Sequence, residues 1–386
     1  MERALYVLGT ASQVPTAKRN HNGFFLRWDR EGILFDPGEG TQRQMTLAGI
    51  AASDITRVCV THFHGDHCLG LPGVVQRLSL DNVTRPIDVH YPASGQVYFD
   101  RLRRASIFHS VCQLVARPIS GGGVIAELED LILEAQPLRH AVDCYGYRIQ
   151  ERDRVRFSPE LLAAAGVRGP AVGQLQRGGR VMVGDRELRR WDLCEVSPGQ
   201  ALAFVMDSAV CAGAATLARG VDALVCESTF LDADADLAEK SGHMTAPQAA
   251  TLAAEAGARL LVLTHFSQRY PDSGVYLDEA RRIFPEAVAA VEPREGSDAH
   301  RIPLPPLQES TLSGDFVLEL VVDQELQRTP HRGRLPRARA ALEGLAERLS
   351  EAGAAVSARR ILHVQGGAEA VVFEVGGGRG SGHETC

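Results

Sequence analysis

The segment Thr61–Gly70, THFHGDHCLG, places three histidines and one aspartate within six consecutive positions. Packing an apolar core requires none of them, whereas a metal ion requires several at once. The segment follows the apolar run RVCVT, which reads as a strand. His62 and His64, two residues apart on extended backbone, therefore point the same way and can share one ion. Asp66 and His67 fall where the chain turns into the helical pattern LPGVVQRLSL, and from that turn they address a second ion.

Two sites need more ligands than four residues supply, and isolated residues at other strand ends provide them. His140 ends the run LILEAQPLR, Asp207 ends ALAFVMD and His265 ends RLLVLTHF. The expected sets are His62, His64 and His140 for one ion and Asp66, His67 and His265 for the other, with Asp207 bridging through its two oxygens. Nitrogen and carboxylate donors without cysteine fit two Zn²⁺ best, and Mn²⁺ or Fe also suit such a mixed set. Cys68, beside the motif, is expected as a small buried residue, Asp36 and Glu39 in FDPGEG as groups that support the ligands, and Thr245 as a helix cap.

The surrounding pattern gives the expected fold class. Short apolar runs bounded by turn residues, ALYVLGT, GFFLRW, GILFDPG and RVCVTH, read as strands, and 71–80 and 97–108 read as helices. Strands return at LILEAQPL, YGYRIQ, ALAFVMD, ALVCEST and RLLVLTHF, with helical AATLARG and APQAATLAAEAG between them. Two sheets with helices packed outside, an αββα sandwich, are the expected α/β architecture, with its site along one edge. The catalytic domain is expected over 1–304, a linker over 305–313, a small β-α-β-β extension over 314–376 and a disordered tail over 377–386.

Charge sharpens the question of partners. The 386 residues carry a net charge of −7, so nothing global attracts nucleic acid. Between Arg148 and Arg190, however, ten arginines face five acidic residues, in a Gly-rich stretch with weak apolar periodicity. That insertion is expected to be a flexible projecting arm that touches phosphates. The N-terminal residues lack a signal-peptide pattern and no apolar stretch reaches the length of a membrane span, so the expectation is a cytoplasmic protein with no membrane partner. Eight scattered cysteines without a CxxC pair are expected as free thiols.

Beyond THFHGDHCLGLPG, the chain carries FDPGEGTQRQM, PLRHAVDCYGYRI, an arm ending in QLQRGG, LTHFSQRYP and, at 15–20, PTAKRN. In these segments it resembles the ribonuclease Z (tRNA 3′-endonuclease) family of the metallo-β-lactamase superfamily. The resemblance runs over residues 5 to 295 in the family order and leaves the last part of the chain uncovered. It implies the metallo-β-lactamase form of the sandwich and a homodimer whose arm grips precursor tRNA. The implied reaction is hydrolysis of the phosphodiester after the discriminator nucleotide, leaving a 3′-hydroxyl on the tRNA. Asp66 is then the proton acceptor as well as a ligand, and His243, in SGHMTA, the acid for the leaving ribose oxygen. Lys18, Arg19, Arg177 and Arg269 are the implied RNA contacts.

The chain departs from the family in three places. The bridging aspartate sits in FVMDSAV rather than Gly-Asp-Thr, the lysine of PTAKRN comes one place later than in PxKxRN, and the C-terminal unit is extra. Two rivals stand beside this reading: a dinuclear-metal hydrolase of small phosphodiesters or other small substrates, and a metal-dependent RNA-binding module without chemistry.

Overall fold

Alternation along the strands sets the layers of the larger, N-terminal unit. In the strand Arg3–Gly9, Ala4, Tyr6 and Leu8 join one apolar cluster while Leu5 and Val7 join another. In Ala201–Val205 the same division separates Ala201, Ala203 and Val205 from Leu202 and Phe204. Residues buried on both sides of two different sheets require four layers, and the computed structural model shows them. It describes residues 3–294, 298–306, 316–318, 355–364 and 368–376.

The first sheet has seven strands in the order Arg301–Pro303, Arg3–Gly9, Gly23–Trp28, Glu31–Phe35, Arg57–Cys59, Pro86–Pro92 and Gln113–Ile119. The second, also seven-stranded, runs Ala287–Ala289, Leu261–Thr264, Ala223–Glu227, Ala201–Val205, Tyr145–Glu151, Leu131–Pro137 and Gly123–Glu127. Between them Phe24 and Phe35 meet Phe204, with ring centroids 5.4 and 4.5 Å apart. Truncating Phe204 to Ala would cost about 3–5 kcal/mol.

Outside the first sheet lies the helix Leu71–Leu80, which buries Leu71, Val74, Val75 and Leu78 on a single face. Outside the second lies Ala246–Ala256, whose alanines let it approach the sheet closely. Thr245 caps that helix in a capping box with Gln248, and Gly257, at φ 66°, ends it.

Three stretches differ from the sequence expectation. The helix expected over 97–108 covers only Gln96–Leu102. The edge strands Gln113–Ile119 and Gly123–Glu127 are mostly half-buried or exposed, with Pro118 inside the first and glycines leading into the second, and their sequence carries little strand signal.

The arginine-rich insertion has its own small core. Its strands Arg154–Phe157 and Cys194–Ser197 pair as a stem, and beyond them Val167, Leu175, Val181, Leu188 and Leu193 cluster. Arg148 belongs instead to the second sheet, where its guanidinium donates to the Leu217 and Arg219 carbonyls.

The chain divides into two compact units, 1–308 and 309–386. In the second, Phe316–Leu318, Ala368–Gly376 and Ala355–Val364 form a three-stranded antiparallel sheet in that order. The helix expected within the C-terminal extension and the tail expected over 377–386 lie outside the described residues.

Candidate metal centre

Strand ends deliver the site. His62 and His64 follow Arg57–Cys59, and His64 immediately precedes the short helix Gly65–Cys68 that carries Asp66 and His67. His140 follows Leu131–Pro137, Asp207 follows Ala201–Val205 and His265 follows Leu261–Thr264. Asp36, Asp207 and His265 hold φ values of 43°, 38° and 59°. A left-handed conformation costs a non-glycine residue stability, and three such residues at strand ends of the two sheets, all beside the clusters, mark a place built for function.

The side chains meet in two clusters. In the first, His64 Nδ1 lies 2.9 Å from His62 Nε2 and 3.3 Å from His140 Nε2. Asp207 Oδ2 lies 3.6 and 3.8 Å from those two Nε2 atoms. In the second, His67 Nε2 is 3.2 Å from His265 Nε2, and Asp66 Oδ2 is 3.4 and 3.6 Å from the same two atoms. Asp207 Oδ1 completes it at 3.2 and 3.1 Å. Ligands held ~2.0–2.1 Å from a tetrahedral ion stand roughly 3.3 Å from one another, which is the scale of both clusters. Asp207 gives one oxygen to each.

The donor chemistry fits a cation. Asp207 Oδ1 is buried and has no hydrogen-bond partner among the described residues. Burial works to raise the Asp207 pKa, yet His265 and His67 hold the carboxyl well below the usual range. Burial disfavours the charged His67 ring, but Asp207, Asp66 and Asp36 pull its pKa well above the imidazole range. Converging lone pairs and carboxylates of this kind are reconciled by positive charge between them.

A ring of supporting contacts sets which nitrogen of each histidine is free. Asp36 Oδ2 accepts from His67 Nδ1 at 2.8 Å and from the Thr61 hydroxyl at 2.8 Å, and that hydroxyl stands 3.0 Å from His62 Nδ1. His140 Nδ1 donates to the Gly242 carbonyl at 3.1 Å. A Cβ on Gly242, whose φ is 74°, would stand 3.2 Å from that same ring nitrogen. On the other side Glu227, fully buried, accepts from His243 Nδ1 at 2.9 Å, from the Thr229 hydroxyl at 2.6 Å and from the Ser208 amide at 2.6 Å. Thr229 Oγ1 in turn stands 2.9 Å from His265 Nδ1. In each case Nε2 is left facing inward.

The sequence reading missed Glu227 and Thr229. Both sit in ALVCEST, which reads simply as a strand. The available signal was an acidic residue ending an otherwise apolar run beside the site edge.

A domain model described as the Metallo-beta-lactamase superfamily matches residues 17–146. A protein named Ribonuclease Z from Nocardia farcinica is 56% identical over 306 residues, 79% of this chain and 99% of that protein. One of the same name from Chlamydia abortus is 46% identical over 290 residues, 75% of this chain and 95% of that protein. The chain belongs to the ribonuclease Z family. The crystal structure of human tRNase Z, short form, superposes with a TM-score of 0.57 at 25% identity, covering 78% of this chain and all of that one. The fold is that of the metallo-β-lactamases.

Three of the segments that carry the ribonuclease Z resemblance, THFHGDHCLGLPG, PLRHAVDCYGYRI and LTHFSQRYP, line a cleft of about 860 Å³ over the two clusters, joined there by Gln13 and His243. His243 borders the second cluster, within 4.8 Å of the ligand atoms of Asp207 and His265. Burial lowers the pKa of its ring, but the Glu227 carboxylate more than offsets this and raises it to about 9.

The four expected RNA contacts divide. Lys18 and Arg177 are exposed, and Arg269 is exposed at the cleft. Arg19 is buried, and its guanidinium donates to the carbonyls of Ser267 and Pro271 and packs over Phe266, so it braces the loop after His265 rather than facing a phosphate. Glu39, expected in a supporting role, has a side chain that is 73% exposed and comes within 4.0 Å of His21. Of the unusual neighbours of Asp207, Met206 is buried between the sheets, and Ser208 supplies the amide that Glu227 accepts. Cys68 is buried, donating to the His64 carbonyl, and the described cysteines are all free.

Proposed function

We infer that this chain is a metal-dependent endoribonuclease that removes the 3′ trailer from precursor tRNA, cutting after the discriminator nucleotide and leaving a 3′-hydroxyl. The observation that carries the chemistry is Asp207, whose two oxygens face two separate clusters of inward-pointing ligand atoms. His62, His64 and His140 would hold one Zn²⁺ and Asp66, His67 and His265 the other, with Asp207 between them. Bound ions of this kind supply Lewis acidity and a water activated at neutral pH.

The protein's own groups do the rest. Asp66, its Oδ2 held by the Gln13 amide at 2.8 Å, accepts the proton of the attacking water. His243 donates through Nδ1 to Glu227, which leaves Nε2 to carry a proton to the departing ribose oxygen. With its pKa raised to about 9, that ring is an acid across the neutral range.

The arm supports RNA as the substrate. Arg152, Arg154 and Arg180 are paired with Glu127, Glu151 and Glu187. Arg156, Arg168, Arg177, Arg186 and Arg189 are exposed, with no ion pair among the described residues, and are free for phosphates. The arm of one subunit in a homodimer would hold the tRNA body while the trailer enters a metal site. Among the described residues no helix is long and apolar enough to cross a membrane.

Incubation of the purified protein with a 3′-extended tRNA transcript, followed by mapping of the cut end, tests this reading. The expected product ends at the discriminator with a free 3′-hydroxyl. Intact tRNA from a preparation that hydrolyses bis(p-nitrophenyl) phosphate would favour the small-substrate rival.

A further inference from the structure

Glu292 follows the last strand of the second sheet, Ala287–Ala289, and reaches across to the first. Its Oε1 accepts from the Thr10 amide at 2.9 Å, the Thr10 hydroxyl at 2.9 Å and the Asn20 amide at 2.8 Å. Its Oε2 accepts from the Asn20 amide at 2.8 Å and from Gln44 Nε2 at 3.3 Å. Each of these partners is a donor, which suits a carboxylate, while burial opposes the charge and raises the Glu292 pKa to about 7. Thr10 and Asn20 are the two ends of the 11–19 loop, so one side chain closes its stem.

That loop reaches the metal centre through a backbone hydrogen bond. The Gln13 amide donates to Asp66 Oδ2 at 2.8 Å, from a backbone held at φ 29°. A side chain rarely adopts that conformation without restraint, and the restraints are visible. His21 Nε2 donates to the Gln13 carbonyl at 3.2 Å, and the Ser12 amide donates to the Phe266 carbonyl at 3.1 Å. Behind Asp66, a Cβ on Gly38 would stand 2.1 Å from the Asp66 carbonyl, so the FDPGEG turn is pressed against the short helix. Asn20 Nδ2 holds that turn through the Glu39 carbonyl at 2.8 Å. Glu292 therefore fixes Asp66 by two routes, through Gln13 in front and through Asn20 behind.

We propose that Glu292 is a positioning residue for Asp66: by gripping both ends of the 11–19 loop it sets the direction in which the Asp66 carboxylate faces the metal site. The inference rests on Asp66 acting at that site and is independent of tRNA being the substrate. Glu292→Gln keeps the shape of the side chain but places an N–H₂ group where donors now converge.

In the metal-free, full-length protein, hydrogen exchange over residues 10–20 is expected to quicken about tenfold in Glu292→Gln, with the central strands of both sheets unchanged. Loaded with Co²⁺ to the wild-type content, the variant is expected to show an altered visible spectrum. With Zn²⁺, kcat on bis(p-nitrophenyl) phosphate is expected to fall about tenfold at nearly constant KM. Glu292→Asp, which retains the charge and the acceptors, should recover much of that loss. Unchanged exchange, or faster exchange with a wild-type spectrum and kcat, would overturn the proposal. A loss of kcat that merely follows metal content or melting temperature would do the same. Failure on tRNA alone, with the small diester still cut, would remove the substrate reading and leave this one standing.

Discussion

Two buried carboxylates, one from each sheet, orient the site histidines by the same device and to different ends. Asp36 takes the His67 ring directly and reaches His62 through the Thr61 hydroxyl. Glu227 takes the His243 ring directly and reaches His265 through the Thr229 hydroxyl. On the first side both rings turn Nε2 into a ligand cluster. On the second His265 does, and the ring held directly by the carboxylate, His243, stands within 4.8 Å of the Asp207 and His265 ligand atoms, beside the cluster, with a raised pKa. On the proposed function, a shared way of fixing imidazoles would give two ligands in one half and a ligand plus an acid in the other.

The widest contrast should come from the two rings that the carboxylates hold directly. His243→Ala is expected to lower single-turnover cleavage of 3′-extended tRNA by about 10²–10⁴-fold with metal content unchanged. His67→Ala is expected to lose metal and activity together, as metal analysis of the same preparations would show. A His243 variant that also loses its metal would erase the distinction between the halves.

Next come the carboxylates. Asp36→Ala is expected to weaken metal binding about 10–100-fold, with activity returning in excess Zn²⁺. Glu227→Gln should act more on the acid than on the metal. His243 is protonated below about 9 because the Glu227 charge outweighs its burial. Activity that needs this proton declines as pH rises through that value. Removing the charge lowers the ring's pKa and moves the alkaline limb of kcat to lower pH, which a pH profile would read.

The smallest effects belong to the hydroxyl relays. Thr61→Val and Thr229→Val each remove one buried hydrogen-bond link, worth about 0.5–1.5 kcal/mol, and are expected to weaken metal binding to a similar degree. Markedly unequal losses in metal titrations would show that the two halves do not share the device.

The residues that meet in the two clusters were legible because the spacing of the first four is unusual and because each of the other three ends an apolar run, where a strand delivers a side chain to the sheet edge. The four layers were legible from the same runs. Glu227, Thr61 and Thr229 were not, because a polar residue that serves a neighbour across two strands leaves no local period in the sequence. Arg19 was misread for a related reason: a guanidinium in a basic segment reads as a phosphate contact, and only the fold reveals the carbonyls of Ser267 and Pro271 that it satisfies. The small core of the arm rests on Val167, Leu175, Val181, Leu188 and Leu193, which belong to different short elements and make no run of their own.

Anomalous diffraction at the zinc edge from crystals of the metal-loaded protein tests the central claim most directly. Two peaks are expected, one among His62, His64 and His140 and one among Asp66, His67 and His265, with a separate oxygen of Asp207 on each. A single peak, or a second ion away from Asp66 and His265, would contradict the account.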